Sequence, residues 1–216
     1  MNAAIIYKFM SFFYDLLDVI YFRDYENSPR KAVLDAIDRQ DKVLDLCTGT
    51  ATNAIKISQM LPESKIIGID ISRDMLRVAK EKIQKKSVKN VRLYSMDATC
   101  TKFKNRCFDK ILISLVLHEL EETLAEKILK EATRVLKDDG SIIVTEWELS
   151  DSLWRKMLFF PIHVLEPKTY RKFIKRDLYE YFRNYGLEIV KEIHCDYSKV
   201  LIIRRMNSES TVEIQD

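Results

Sequence analysis

The chain has 216 residues, 36 Lys and Arg against 33 Asp and Glu, and a formal net charge of +3. With 47% hydrophobic and 32% charged residues, it carries enough apolar material for one sizeable core and too much for a disordered chain. Four Gly and four Pro exclude a low-complexity chain, and the small net charge offers no broad field for nucleic acid, so no nucleic-acid partner is expected.

The four cysteines, Cys47, Cys100, Cys107 and Cys195, match neither C-x-x-C nor a zinc-ligand spacing. No metal site is expected, and a chain of this size with this core fits a reducing cytoplasm better than a disulfide framework. Lys8 interrupts the first apolar run, and Asp15 and Asp18 follow, which is not the layout of a leader peptide. No run of about 20 uncharged apolar residues is available to span a membrane.

The segment Ile5 to Phe22 places Met10, Phe13, Tyr14, Leu17 and Tyr21 at helical spacing, an aromatic amphipathic helix. A second helix is expected over Ser28 to Arg39, with Pro29 suited to its first turn. The pattern then changes to short apolar runs separated by helical stretches. Strands are read at Val43–Leu46, Lys65–Asp70, Val91–Tyr94, Phe108–Leu115 and Ser141–Thr145. Between them, helices run from Ala54 to Leu61, stopped by Pro62, and from a Ser72 cap to Ile83. Another helix runs from Leu124 to Leu136, closed by a turn at Asp138-Asp139-Gly140.

Beyond residue 150 the pattern loosens. An apolar stretch, Leu153 to Ile162, is followed by a basic aromatic helix over Lys168 to Tyr185. Two closing strands, Leu187–His194 and Lys199–Arg205, lie close enough in sequence to pair antiparallel. Strands that are continuous apolar runs and alternate with helices indicate an α/β fold with a mostly parallel sheet covered on both faces. The expected division is an N-terminal helical cap (1–40), a main domain (41–206) with a helical insertion at 150–185, and a polar tail (207–216).

In such a sheet, ligands bind beyond the carboxyl ends of the strands. Three acids stand there, one per strand: Asp45, Asp70 and Asp97. The loop after the first strand, Cys47-Thr48-Gly49-Thr50-Ala51, holds one glycine. A dinucleotide needs a glycine-rich loop for its pyrophosphate and would meet Asp45 beside its phosphates. S-adenosylmethionine has no phosphate; it carries a sulfonium, an ammonium, a ribose diol and an adenine amino group, all suited to carboxylates.

These residues resemble class I S-adenosylmethionine-dependent methyltransferases. Val43 to Thr50 is similar to the first motif of that family and Gly68 to Ser72, with Met75 and Leu76, to the second. Met96-Asp97-Ala98 resembles the adenine-binding motif, and Phe108-Asp109 with Leu115 to His118 the fourth-strand motif. Phe13-Tyr14-Asp15-Leu16-Leu17 is similar to the subgroup acting on ubiquinone and menaquinone precursors. The resemblance implies a Rossmann-like, doubly wound sheet of about seven strands under an N-terminal helical lid.

It also implies site roles. Asp45, Cys47 and the Thr48-Gly49-Thr50 backbone would hold the methionine end, Asp70 the ribose, Ile71 and Met75 the adenine faces, and Asp97 with Ala98 the adenine edge. Tyr14 and Ser114 would complete the cofactor set. The family's glycines at 47 and 51 are Cys47 and Ala51 here; an alanine fits only if its backbone is right-handed.

His118 and Glu146 are the candidates for acid–base work. His118 could equally be a hydrogen-bonded residue opening the next helix, and Glu146 a solvated loop acid. Cys47, Cys100 and Cys107 could bind arsenic but read more simply as packed thiols. The basic helix could touch an anionic lipid surface, although a solvated face explains it as well. The expected function is methyl transfer from S-adenosylmethionine to a small apolar or aromatic acceptor, by a monomer or homodimer. A dinucleotide-linked oxidoreductase and a catalytically silent cofactor-binding module are the competing readings.

Overall fold

The computed structural model describes residues 26–148, 168–195 and 197–206. The expected N-terminal aromatic helix with Tyr14, most of the insertion and the polar tail lie outside these residues.

Seven strands form one sheet in the order β3-β2-β1-β4-β5-β7-β6. They are β1 (Lys42–Leu46), β2 (Lys65–Asp70), β3 (Val91–Ser95), β4 (Phe108–Ser114), β5 (Leu136–Trp147), β6 (Leu187–His194) and β7 (Ser198–Arg205). The pairs among β1 to β5 are parallel, while β7 runs antiparallel to both β5 and β6. The helices are α1 (Pro29–Asp35), α2 (Thr52–Met60), α3 (Arg73–Lys85), α4 (Glu122–Val135), α5 (Lys168–Phe173) and α6 (Leu178–Arg183), with a 3-10 turn at Leu117–Glu119. The doubly wound fold read from the sequence is the fold observed.

Alternation along the strands assigns each residue to a face. On one face, Val43, Ile66, Leu112, Ile143, Val200 and Ile202 pack with Ala32 and Val33 of α1, Ala54 and Ile57 of α2 and Ala79 of α3. On the other, Leu44, Leu46, Ile111, Ile113, Val144 and Leu201 pack with Leu129 and Ala132 of α4 and Phe182 of α6. Ser28 caps α1 and Ser72 caps α3, their hydroxyls accepting from the backbone N–H of Lys31 and Met75.

Two expectations are corrected. The basic helix is two helices: Asp177 accepts from the N–H groups of Tyr179 and Glu180 and starts α6 afresh. The Asp138-Asp139-Gly140 turn lies inside β5, which begins directly after α4 with Leu136 paired to Phe108; the ladder then shifts register before Lys110. Gly140 is needed there, because a Cβ would sit 2.7 Å from the Asp109 carbonyl oxygen.

Candidate active site

The loop after β1 is held in a sharply turned conformation. Cys47, Gly49 and Ala51 all have positive φ, at 56°, 55° and 59°. Ala51 is therefore not right-handed: it is the left-handed N-cap of α2, in a conformation that disfavours residues with a Cβ. Leu115, just past β4, has φ of 56° as well. Ser87 and Arg106 also have positive φ, but away from the carboxyl ends of the strands; Cys47, Ala51 and Leu115 place local strain at the carboxyl ends of β1 and β4, where sites are commonly built. Periodicity carries no signal for it.

The loop is braced from below. Asp45 is buried, and Thr48 Oγ1 donates to its Oδ2. Burial pushes the Asp45 carboxyl up to about 7, against the Thr48 hydrogen bond and helped by the charge of Asp70. Asp45 accordingly reaches the mouth through Thr48 rather than by lying open in it. Thr48 N–H donates to the Ile69 carbonyl, and Lys82 Nζ reaches Thr50 Oγ1 at 2.9 Å. Cys47 is half-buried; burial and the acids around it raise its thiol to about 12, so it is a neutral packing group.

Asp70 ends β2 and ties two loops together. Its Oδ2 accepts from Gly49 N–H and its Oδ1 from Ser72 N–H, both at 2.8 Å. A carboxylate has about four acceptor positions, so two remain for a ligand diol. Asp97 lies exposed after β3. The backbone N–H and hydroxyl of Thr99 bond to Asp97 Oδ1 and hold its carboxyl below the ordinary value. Ala98 is buried behind it.

Directly after Asp70, Ile71 is 75% exposed, an apolar side chain without cover. Met75 stands one turn into α3 and is half-buried. A Cβ on Gly49 would meet nothing within 4 Å, so the loop's upper side is open. An exposed apolar side chain directly after Asp70, where two adjacent strand ends each carry a fixed carboxylate, with Gly49 bonded to one of them, fits the adenosine part of S-adenosylmethionine.

On the next strands the sequence brings distant residues together. His118 Nδ1 meets Glu146 Oε2, and Glu146 Oε1 accepts from Leu117 N–H at 2.9 Å. Both residues are about 1% exposed. With the Nδ1 proton directed at the carboxylate, Nε2 carries the lone pair. Tyr170 of α5 lies edge-on to the His118 ring at 5.6 Å between centroids. Ser114 ends β4, its hydroxyl buried without a hydrogen-bond partner among the described residues. Glu146 is thus no loop acid, and Ser114 lies on the opposite face of the sheet from it.

At the far edge, Glu148, Glu192 and His194 approach one another. There Lys199 Nζ sits 2.8 Å from Glu192, and the Tyr179 hydroxyl donates to the same carboxylate, so the protein itself balances these charges.

A protein-family model described as a methyltransferase domain matches residues 37–184. A demethylmenaquinone methyltransferase from Bacillus cereus is 31% identical over 136 residues, 62% of this chain and 56% of that protein. The chain thus spans a little over half the length of that curated relative. Among solved structures, a SAM dependent methyltransferase from Aquifex aeolicus shares 20% identity at a TM-score of 0.69, covering 94% of this chain and 98% of that one. An O-methyltransferase family 2 protein from Planctomyces limnophilus, in complex with apigenin, shares 17% identity at a TM-score of 0.70, covering 95% of this chain and 62% of that one. These two share the fold. With the family model covering most of the chain, and with a mouth whose carboxylates suit S-adenosylmethionine, this protein belongs to the methyltransferase-domain family.

Proposed function

We propose that this chain transfers a methyl group from S-adenosylmethionine to a small, planar acceptor of the quinol or phenol type. The observation that carries the donor half is the pair of fixed carboxylates, Asp70 and Asp97, at the ends of the adjacent strands β2 and β3, with exposed Ile71 directly after Asp70. The acceptor half rests on likeness to a demethylmenaquinone methyltransferase and on the buried His118–Glu146 pair.

When bound, S-adenosylmethionine supplies an electrophilic methyl group on a sulfonium. Asp70 would take the ribose hydroxyls on its two remaining acceptor positions, and Asp97 the adenine amino group, while Ile71 and Met75 cover the adenine faces. Cys47 and the Thr48-Gly49-Thr50 backbone would orient the methionine end, Asp45 adding negative charge from beneath. Ala98 and Ser114 complete this set. His118 Nε2 would remove the proton of an acceptor hydroxyl, and Glu146 would hold the imidazole in the tautomer that does so. Orientation supplies much of the remaining acceleration, because in-line transfer demands alignment more than acid–base help.

We read the catalytic unit as residues 41–206, working in the cytoplasm as a monomer or homodimer. The basic residues of α5 and α6 allow contact with a membrane surface at most; no helix among the described residues is long and apolar enough to cross one. A thermal-shift comparison tests the donor: S-adenosylhomocysteine should raise Tm and NAD should not. Transfer of a labelled methyl group to short-chain demethylmenaquinol, the reduced form that carries the hydroxyls, then tests the acceptor. Response to NAD alone would overturn the reading in favour of an oxidoreductase, and binding without transfer to any quinol or phenol would favour a silent binding module.

A further inference from the structure

The hydroxyls of Ser114, Thr145 and Ser198 are buried, and none has a hydrogen-bond partner among the described residues. Thr145 is 4% and Ser198 0% exposed. Buried hydroxyls are normally paired, because leaving one unmade forfeits its hydration without return. Three such groups on three neighbouring strands call for a common cause.

They share one face and one end of the sheet. Ser114 is the direct partner of Thr145 across β4 and β5. Ser198 pairs with Trp147, two residues beyond Thr145 on the same side of β5. The three therefore form an oblique row at the carboxyl ends of β4 and β5. Leu112, Ile143 and Val200, on this face, belong to the apolar cluster beneath the row. Trp147, with Leu115 and Tyr197 packed in its cluster, lies at the upper end.

We infer that this row is the acceptor's polar subsite, with Thr145 at its centre, taking a neutral oxygen, a quinone carbonyl or phenol hydroxyl, on a flat apolar ring. The inference rests on the methyl-transfer reading for its acceptor class, but adds Thr145 and Ser198, to which that reading assigns no role, and moves Ser114 from the cofactor set to the acceptor. Each hydroxyl can both donate and accept, so it matches a carbonyl or a phenol without a change of charge. Asp45 lies on this same face of the sheet, by alternation with Val43, and disfavours an anionic group. Lys199, the cation next to Ser198, is directed to Glu192 instead. Aromatic and aliphatic walls beside a few convergent polar groups suit a planar ligand.

The test uses the full chain loaded with S-adenosylhomocysteine and 1-naphthol as the probe, titrated by calorimetry. Thr145→Val is near-isosteric and removes only the hydroxyl. It should weaken 1-naphthol binding about fivefold. S-adenosylhomocysteine affinity should stay within twofold, and Tm should be equal or higher, since an unpaired buried hydroxyl is gone. Thr145→Ser should restore probe affinity to within twofold of the original chain. Should Thr145→Val fail to fold, Ser198→Ala carries the same comparison. Equal 1-naphthol affinity in the original chain and Thr145→Val, or no binding by the original chain, overturns the subsite. A hydroxyl-dependent affinity in a chain that moves no methyl group to short-chain demethylmenaquinol upholds the subsite and refutes the transfer reading, so the two failures are distinct.

Discussion

At the ends of β1, β2 and β3, each carboxylate is held by a neighbour close in sequence: Asp45 by Thr48, Asp70 by Ser72, and Asp97 by Thr99. The Gly49–Asp70 bond and the Thr48 N–H to Ile69 carbonyl bond add ties from the β1 loop to β2. At the ends of β4, β5 and β7 the partners are far apart. His118 meets Glu146 across 28 residues, and the Ser114, Thr145 and Ser198 hydroxyls align only through strand register. The first region can take shape from short loops, whereas the second exists only once the sheet is assembled. Substitutions in the two should therefore separate cofactor affinity from turnover.

The largest separation is expected at His118. Replacing it by alanine removes the proposed base, and general-base catalysis contributes roughly 10²–10⁴-fold. We expect kcat to fall by at least about 10²-fold while the Kd for S-adenosylhomocysteine stays within twofold. Glu146→Gln should cost less, because it leaves the base but loosens its tautomer. Unchanged kcat in the His118 variant would reduce the pair to a buried structural contact and leave alignment as the whole of the catalysis.

Asp70→Ala should produce the converse split. A hydrogen bond to a charged group is worth roughly 1.5–3 kcal/mol, which corresponds to a loss of about tenfold or more in affinity. The variant also releases the N–H groups of Gly49 and Ser72, so both loops loosen. Calorimetry should show a raised Kd for S-adenosylhomocysteine, with saturated kcat far less affected than in the His118 variant. An unchanged Kd would remove Asp70 from the cofactor site.

How far the chain reveals these regions beforehand follows from the same contrast. The acids 45, 70 and 97 are legible because each stands at or just past the end of a short apolar run, and strand ends form the mouth of a parallel sheet. The break before α6 was also legible in principle: Asp177-Leu178-Tyr179-Glu180 has capping-box spacing, but a continuous basic aromatic pattern masks it. The burial of Asp45 was not legible, since an acid at a strand end reads equally well as open to solvent. Nor was the facing of Thr145 and Ser198, which depends on the pairing of β5 with β7. His118 and Glu146 could each be named from the sequence, but their contact could not.

A smaller effect should appear as a proton linkage at Asp45. Its folded-state carboxyl is raised to about 7, above an unfolded value near 4, so the folded protein binds the extra proton between those limits. Stability should be fullest below about pH 4 as far as this group is concerned, and be lost as pH rises towards 7. A bound ammonium or sulfonium favours the ionised carboxylate. Binding near pH 6.5 should therefore release a fraction of a proton, and affinity should rise with pH up to about 7. Calorimetry in buffers of different ionisation heat measures the release. Asp45→Asn should abolish it, and release that persists in the variant would assign the proton elsewhere.

The smallest effect is expected at Ala51, where opposing contributions nearly cancel. Its φ of 59° is disfavoured for a residue with a Cβ by roughly 1–2 kcal/mol, and glycine would relieve that. Against this stand about 0.5–1 kcal/mol for glycine's greater freedom in the unfolded chain and about 0.8 kcal/mol for the methyl group, which is fully buried among residues of α1 and α2. Ala51→Gly should therefore change stability by less than about 1 kcal/mol, or roughly 2–4 °C in Tm for a chain of this size. A gain well beyond that would mean that the β1 loop stores more strain than its dihedral angles imply, and that α2 is held at a cost by the rest of the sheet. A loss well beyond it would make the Ala51 methyl a packed part of the core. In that case the loop is fixed by long-range contact after all, and the contrast between a locally built cofactor side and a sheet-built acceptor side weakens at its best-defined point.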